Sequence, residues 1–346
     1  MTVFTTGGRA AAPLFTSAAL AVAMLSPLSA LATENGQVRA LLGAPSYELA
    51  TPQFPGWYGQ FWVQHYSADT LRGNDGEAVT QTMTTPLGPL QVTPDVRIRA
   101  EVLVPRLTYV SEIMVGEGRL GFSASLPLVH QTTDVTLNAA LPAGLTPGQI
   151  AAANALLAQQ SALRSGSESG QADMEVASFI DWQQDESRLV AGLAVVVPTG
   201  DYDKDRVVNP GTGRYWTLRP LMVAARAWEN GLEAGTRMTY SINSRNSETD
   251  VRSGSYLHAD WSGMYRANDN WKFGLQGYVL KQFTKDDGPG VAEHGNKVQT
   301  LGAGPVLAYL AESGNWALDL KWMQEFEVRN RPEGQVTWVR LNVRLD

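Results

Sequence analysis

The chain has 346 residues, a net charge of -7 at pH 7 and no cysteine. The absence of thiols excludes disulfides, thiolate metal sites, a cysteine nucleophile and a lipid-modified N-terminal cysteine. The acidic balance without any basic cluster argues against nucleic acid as a partner. Charged residues make up only 18%, beside 33 glycines, 10 Trp, 11 Tyr and 9 Phe, and this balance favours strands joined by tight turns.

Residues 1–32 have the three-part pattern of a secretory signal peptide. Arg9 precedes an apolar stretch that ends in the small-residue site Ala30-Leu31-Ala32. We expect cleavage before Thr33, which leaves residues 33–346 as one β-barrel domain. Beyond Ala32 no run of about twenty apolar residues occurs, so no membrane-spanning helix is predicted.

Alternation with period two is the main structural signal of the remaining chain, because successive side chains of a strand point to opposite faces. Near the C-terminus, for example, Val339 and Leu341 alternate with Arg340 and Asn342. The pattern predicts an all-β chain of about twelve antiparallel strands. In chain order they are 58–67, 95–110, 119–130, 173–184, 188–198, 214–227, 232–243, 254–266, 271–283, 298–310, 316–327 and 335–345.

The connections between these strands indicate a transmembrane β-barrel. Short turns such as 229–231 and 268–270 alternate with long segments such as 131–172 and 284–297, as short periplasmic turns alternate with longer external loops. Trp and Tyr gather where strands end, as expected at the two membrane interfaces. We therefore expect both termini of the barrel on the periplasmic side.

One segment, residues 146–164, has a helical composition inside the long loop 131–172. It is rich in alanine and has Pro147 at its start. Two interpretations stay open: a short helix that faces solvent in an extracellular loop, or a lid that folds over the pore mouth.

Charged and polar residues on the inner faces of the strands predict a wet lumen with paired charges. The predicted pore-lining residues are Arg97, Arg99, Glu101, Arg237, His258, Asp260, Lys272, Asp319, Lys321, Glu325, Arg340 and Arg344. Aromatic residues at the bases of external loops could make the first contact with a hydrophobic solute, and these are Tyr202, Tyr215, Trp216 and Phe283.

No catalytic or metal-binding residue is predicted. His258 and Asp260 share one face of a strand but have no neighbouring nucleophile, so a channel-hydrating role is favoured. The acidic residues of segments 201–205 and 285–288 do not match the twelve-residue calcium loop, and turn chemistry explains them. Passive diffusion requires no cofactor.

Several short motifs, in this order and spacing, resemble the outer-membrane protein family named for the MetA pathway of phenol degradation. They include VVPTGDY at 196–202, WKFG at 271–274 and LGAGP at 301–305, and the resemblance covers roughly residues 95–345. It implies a channel in the outer membrane of a Gram-negative bacterium that admits aromatic or other hydrophobic small molecules. Membrane lipid, the solute and the outer-membrane assembly machinery are the implied partners, although the usual terminal aromatic residue is replaced by Leu345-Asp346.

Two alternatives to a channel remain. A structural or adhesion barrel would have a lumen filled by side chains and would pass nothing. An outer-membrane hydrolase would need a Ser and a His in register, and the sequence shows no such pair.

Overall fold

The computed structural model describes residues 36–85, 88–291 and 295–346, so the predicted signal peptide at 1–32 lies outside the described residues. Within these ranges the chain forms fifteen β-strands and one α-helix. The strands are β1 Gly56–Arg72, β2 Gln81–Thr85, β3 Gly88–Val115, β4 Gly118–Ser125, β5 Leu128–Ala139, β6 Gly166–Gln171, β7 Met174–Gln184, β8 Ser187–Val197, β9 Thr217–Ala227, β10 Leu232–Asn243, β11 Tyr256–Arg266, β12 Trp271–Gln282, β13 Gln299–Leu310, β14 Trp316–Arg329 and β15 Arg331–Arg344, and the helix is α1 Pro147–Ala162.

The strands close into a barrel of twelve antiparallel wall strands, which confirms the predicted fold class. From β7 to β15 each strand pairs with the next, β15 pairs with β1, and β1 pairs with β3 to close the ring. β4 and β5 both pair with β3 and form one wall strand, interrupted at Leu126-Pro127, because a proline cannot donate to the ladder. β6 and β7 form another, and β2 lies outside the ring, paired with β3.

The outer face of the barrel is apolar. On β14, Leu318, Leu320 and Trp322 are exposed outward, while Asp319 and Lys321 between them are buried in the interior. Beside the short turns, the rings of Trp271 and Trp316 flank Tyr309 with centroid distances of 4.9 and 5.4 Å. An apolar belt with an aromatic edge is the surface that a membrane β-barrel presents to lipid. No helix in the described ranges has the length and apolar character to cross a membrane.

Three wall strands continue beyond the membrane on the external side. β3 has 28 residues, whereas about 9–11 tilted residues cross a bilayer. The extensions of β1, β3 and β5, together with β2 and α1, enclose a second apolar core that includes Met83, Leu90, Val135 and Leu157. The helix begins with the capping box of Thr146 and Gln149 and packs on β5. It therefore lies in a long external loop, as predicted, with most of its surface exposed.

A segment that forms no wall strand runs through the lumen. We call residues 36–55 the luminal segment; it contains a short 3-10 helix, Tyr47–Leu49. Leu42 and Ala44 pack into the main apolar cluster of the barrel interior, beside Tyr278, Met323 and Trp338. The sequence pattern did not predict this arrangement, and it decides which inward-facing residues remain open to a solute.

Candidate functional site

The external end of the luminal segment is held by Arg39. Its guanidinium forms an ion pair with Asp173 at 3.0 Å, donates to the carbonyl oxygen of Gly213 at 2.8 Å and to that of Tyr215, and lies 3.6 Å from the centre of the Tyr215 ring. Arg39 is 7% exposed. The side chain thus ties the segment to the base of the long loop between β8 and β9.

The middle of the luminal segment lies against β11, β12 and β14. The backbone N–H of Gly43 donates to Asp260 Oδ1 at 2.8 Å, and Gln276 Nε2 donates to the carbonyl oxygen of Gly43 at 2.7 Å. Lys321 Nζ donates to the carbonyl oxygen of Ala44. Gly43 has a φ of +72°, and an added Cβ would lie 2.3 Å from Met323 Cε. Only glycine meets both demands at this position without strain.

At the periplasmic end, Arg340 connects the segment to the wall. Its guanidinium pairs with both oxygens of Glu48 at 2.7 Å and with Asp319 Oδ2 at 2.7 Å. The Arg340 side chain is fully buried. Its central carbon lies 5.0 Å from the ring centre of Trp62. Removal of one member of such an ionic triad leaves the remaining charges in the interior without an opposite charge, which is strongly destabilising. Arg340, Glu48 and Asp319 therefore fix the position of the segment.

The pKa of the Glu48 carboxyl is set by two opposing effects. Burial raises it, but the charge and hydrogen bonds of Arg340 outweigh burial and lower the pKa from 4.5 to about 2. A carboxyl with a lowered pKa stabilises the docked segment fully above its unfolded pKa, and this contribution is lost as the pH falls towards 2.

We therefore expect the ion conductance of the barrel to be constant between about pH 7 and about pH 5 and to rise below about pH 4, as the segment loosens. Conductance in planar bilayers across this range measures the effect. Glu48→Gln is the control, because it cannot titrate. The same acid-dependent rise in that variant would show that another group is responsible.

Beside the luminal segment lies a cavity of about 1100 Å³. One side is formed by the segment, and most of the other side comes from β1, β3, β5 and β7–β9. The lining reaches from Val291 and Lys204 in external loops to Gln53 and Arg188 near the periplasmic turns. The segment packs against inward-facing residues of β11, β12, β14 and β15 and covers part of their inner faces, so the lumen is divided lengthwise into a filled part and an open part.

The predicted pore-lining residues fall into three groups according to their position relative to this cavity. Arg237, His258 and Glu325 do line the cavity. A second group faces inward but is covered by the segment or paired beneath it; it consists of Asp260, Lys272, Asp319, Lys321, Arg340 and Arg344.

The remaining three predicted residues are placed on the other face of their strand. Arg97, Arg99 and Glu101 are exposed on the outside of β3, while Val96 and Val102 line the cavity. The correction has a physical reason: this part of β3 lies where the wall extends beyond the membrane, so its outer face meets water and its inner face meets an apolar cavity. The alternation was correct, but the assignment of its two faces was not.

The four aromatic residues predicted at the pore mouth fall into two groups, one buried inside the barrel and one exposed on its outer surface. Tyr202 is buried and lines the cavity, and Tyr215 is buried against Arg39. Trp216 and Phe283 point outward and are 54% and 49% exposed. The latter two therefore belong to the lipid-facing surface rather than to a solute path.

Sequence reasoning missed much of the cavity lining, including Trp62, Arg106 and Arg219. Trp62 and Arg106 alternate with outward-facing residues on strands that were predicted, so the period of two could have identified both. His258 Nε2 and Asp260 Oδ1 are 3.0 Å apart, and Asp260 also binds the luminal segment, so the pair has a structural task. The described residues contain no group of three or more potential metal ligands.

The closed wall, the apolar belt and the polar interior define a transmembrane β-barrel of the outer-membrane type. The family model described as "MetA-pathway of phenol degradation" matches residues 68–341, and the chain belongs to this family. No curated protein sequence matches the chain.

Solved structures agree on the fold. An outer membrane channel from Pseudomonas putida F1 is 15% identical over 86% of this chain and 98% of its own, with a TM-score of 0.64. A Pseudomonas aeruginosa FadL homologue (10% identity, 91% and 98% covered) and the Ralstonia pickettii toluene transporter TbuX (11%, 92% and 99%) have TM-scores of 0.40 and 0.39. These two are only distantly similar, and no conclusion rests on them.

Proposed function

We propose that this chain is an outer-membrane channel through which small hydrophobic or aromatic molecules diffuse passively. The observation that carries the proposal is the cavity beside the luminal segment, whose lining extends from external loops to periplasmic turns. Membership of a phenol-degradation family supports small aromatic solutes. The P. putida barrel of similar fold is described as an outer membrane channel, which is consistent with the same role here.

The chemistry of the lining favours a hydrophobic solute. In its outer part the wall is formed by aliphatic side chains such as Ile98, Val129 and Val135, and Tyr202 stands at the external end. Further down, Phe179 and Val223 line it. Diffusion along such a surface needs neither a cofactor nor a catalytic group, and we infer that the protein is not an enzyme.

Export and assembly complete the proposal. We infer that the signal peptide at 1–32 directs the chain across the inner membrane and is cleaved before Thr33. The barrel is then inserted by the outer-membrane assembly machinery, and lipid surrounds its apolar belt.

The proposed route is tested by narrowing the cavity at Ala177 on β7. This small side chain lines the cavity, whereas its neighbour Val176 points outward and is 37% exposed. Ala177→Trp places an indole in the path, and we expect uptake of small aromatic solutes by proteoliposomes to fall several-fold. Val176→Trp adds the same group on the lipid side, and we expect it to leave uptake unchanged.

Equal uptake in the two variants, with both barrels folded, would contradict the cavity as the route. Folding is checked by the shift in gel mobility between heated and unheated samples.

A closed structural barrel is the second candidate, and the luminal segment favours it, because its two ends are fixed by buried ion pairs. This candidate requires that neither ions nor aromatic solutes cross the wild-type barrel. Any solute flux that Ala177→Trp reduces would exclude it.

A further inference from the structure

Three guanidinium groups, on three different strands, line the cavity near its middle. They belong to Arg106 on β3, Arg219 on β9 and Arg237 on β10. Arg219 is fully engaged: it pairs with Glu175, donates to Ser241 Oγ at 3.0 Å and donates to a carbonyl oxygen of the luminal segment. The other two guanidinium groups are not.

Arg106 has one hydrogen bond in the described structure, from an Nη atom to Ser123 Oγ at 3.0 Å. Its Nε is buried and has no acceptor, and no carboxylate of the described residues lies within ion-pair distance. In the sheet register Arg106 is opposite Ser125, which is opposite Glu175, but the Glu175 side chain pairs with Arg219 instead. Arg106 is thus a cation inside the barrel without a counter-ion.

Arg237 makes no hydrogen bond within the described residues. Its nearest carboxylates, Glu175 and Asp260, are both 3.9 Å away. One oxygen of each is engaged elsewhere, because Glu175 Oε2 accepts from Arg219 and Asp260 Oδ1 accepts from Gly43. The oxygens nearest Arg237 are Glu175 Oε1 and Asp260 Oδ2, and neither accepts a hydrogen bond from it. The Arg237 guanidinium therefore keeps free donors beside the cavity.

Charge and shape together indicate what would complete this site. The three arginines face two carboxylates, which leaves one positive charge in excess. Guanidinium groups bind carboxylates through two parallel hydrogen bonds, and such charge-assisted bonds are stronger than neutral ones. The Trp62 ring lies 5.4 Å from the central carbon of Arg106, and the cavity wall includes apolar Val102 and Phe179. A planar hydrophobic body with one carboxylate matches these surroundings.

We propose that the cavity binds small hydrophobic monocarboxylates, aromatic acids among them, with the carboxylate held by Arg106 and Arg237 and the apolar body along the cavity wall. The proposal rests on the proposed channel function and names its substrate class. It distinguishes aromatic acids from neutral aromatic compounds of equal size, for which the two arginines have no anionic partner.

The test compares benzoate with benzyl alcohol, its neutral analogue, in calorimetric binding to the folded barrel and in flux into proteoliposomes. Arg106→Gln keeps a polar side chain and removes the charge, and Arg237→Gln does the same from the other wall. Arg97→Gln is the matched control, because Arg97 lies on the outer face with its side chain 64% exposed.

We expect wild-type protein to bind benzoate at least about tenfold more tightly than benzyl alcohol, since the neutral alcohol cannot form charge-assisted hydrogen bonds with the two guanidinium groups. Arg106→Gln and Arg237→Gln should each weaken benzoate binding by about tenfold, leave benzyl alcohol unchanged and remove the preference in flux. Arg97→Gln should change neither.

Equal wild-type affinity for the two compounds would overturn the carboxylate site, and this comparison needs no variant to fold. Unchanged benzoate binding in both folded variants would overturn it as well. Flux of both compounds without a preference would leave the channel intact and remove only this inference. Binding of benzoate without any flux would support the site and contradict the channel.

Discussion

Removal of residues 33–45 from the mature chain is expected to raise the single-channel conductance several-fold. Residues 36–45, the part of this stretch that the structure describes, belong to no wall strand, so the ring of twelve strands stays complete without them. Their absence would open the part of the lumen that lies against β11, β12, β14 and β15. The same deletion would uncover Tyr278, Met323 and Trp338, so we also expect a lower unfolding temperature. Conductance of the refolded barrel in planar bilayers measures the main effect.

A point variant provides the graded control for this deletion. Arg39→Ala removes the external anchor, while Asp173 keeps its hydrogen bonds from Gly200 N at 3.0 Å and from Thr212 Oγ at 2.7 Å. We expect brief openings to the higher conductance level, because only one end of the luminal segment is freed. Wild-type conductance in both the deletion and the point variant would contradict a segment that fills part of the lumen.

Replacement of Arg340 by methionine is expected to cause the largest loss of stability, about 3–5 kcal/mol. The change leaves the buried Asp319 and the partly buried Glu48 close together and without their shared cation. Repulsion between these carboxylates should loosen the luminal segment too, so conductance should rise as stability falls. Denaturant unfolding of the barrel in detergent, followed by tryptophan fluorescence, measures the free energy.

Arg72→Met is the matched control, because Arg72 pairs with Glu333 at 2.9 Å near the external end, where both side chains are about one-quarter exposed. Partly exposed pairs contribute about 0–1 kcal/mol, so a small effect is expected. A triple variant that also carries Asp319→Leu and Glu48→Leu should recover part of the stability lost by Arg340→Met, since both carboxylates are then removed with their shared cation. The recovery is incomplete because the buried Lys321 loses Asp319, which lies 3.8 Å away. Similar losses of unfolding free energy in Arg72→Met and Arg340→Met would contradict the expectation that the buried ion pair contributes more to stability than the partly exposed one.

The wall of the barrel could be predicted from sequence because lipid and lumen impose opposite demands on alternate residues. On β14, Leu318 and Leu320 against Asp319 and Lys321 fix both the strand and its orientation. The same rule failed on the outer part of β3, where the strand leaves the membrane and Arg97 meets water on the outside. Alternation alone does not indicate at which residue a strand crosses the membrane boundary.

The luminal segment could not be predicted in the same way. Its residues show no period of two or 3.6, and its partners are distant along the chain: Arg39 binds near Tyr215, and Glu48 binds Arg340. Buried charges on the inner strand faces indicated that partners must exist, but not that a covering segment supplies some of them. For that reason six residues expected along the pore are inward-facing yet covered.

The most direct test fixes the luminal segment in place and asks whether solute still passes. The chain has no cysteine, so Leu49→Cys with Gly235→Cys gives one defined thiol pair between the luminal segment and β10. An added Cβ on residue 235 would lie 2.7 Å from Leu49 Cβ, so a small shift reaches the separation of about 3.8 Å that a disulfide requires. We predict that the pair crosslinks in the membrane and that the crosslinked barrel still passes small aromatic solutes through the cavity beside the segment. Failure to crosslink, or flux that stops on oxidation and returns on reduction, would contradict this route.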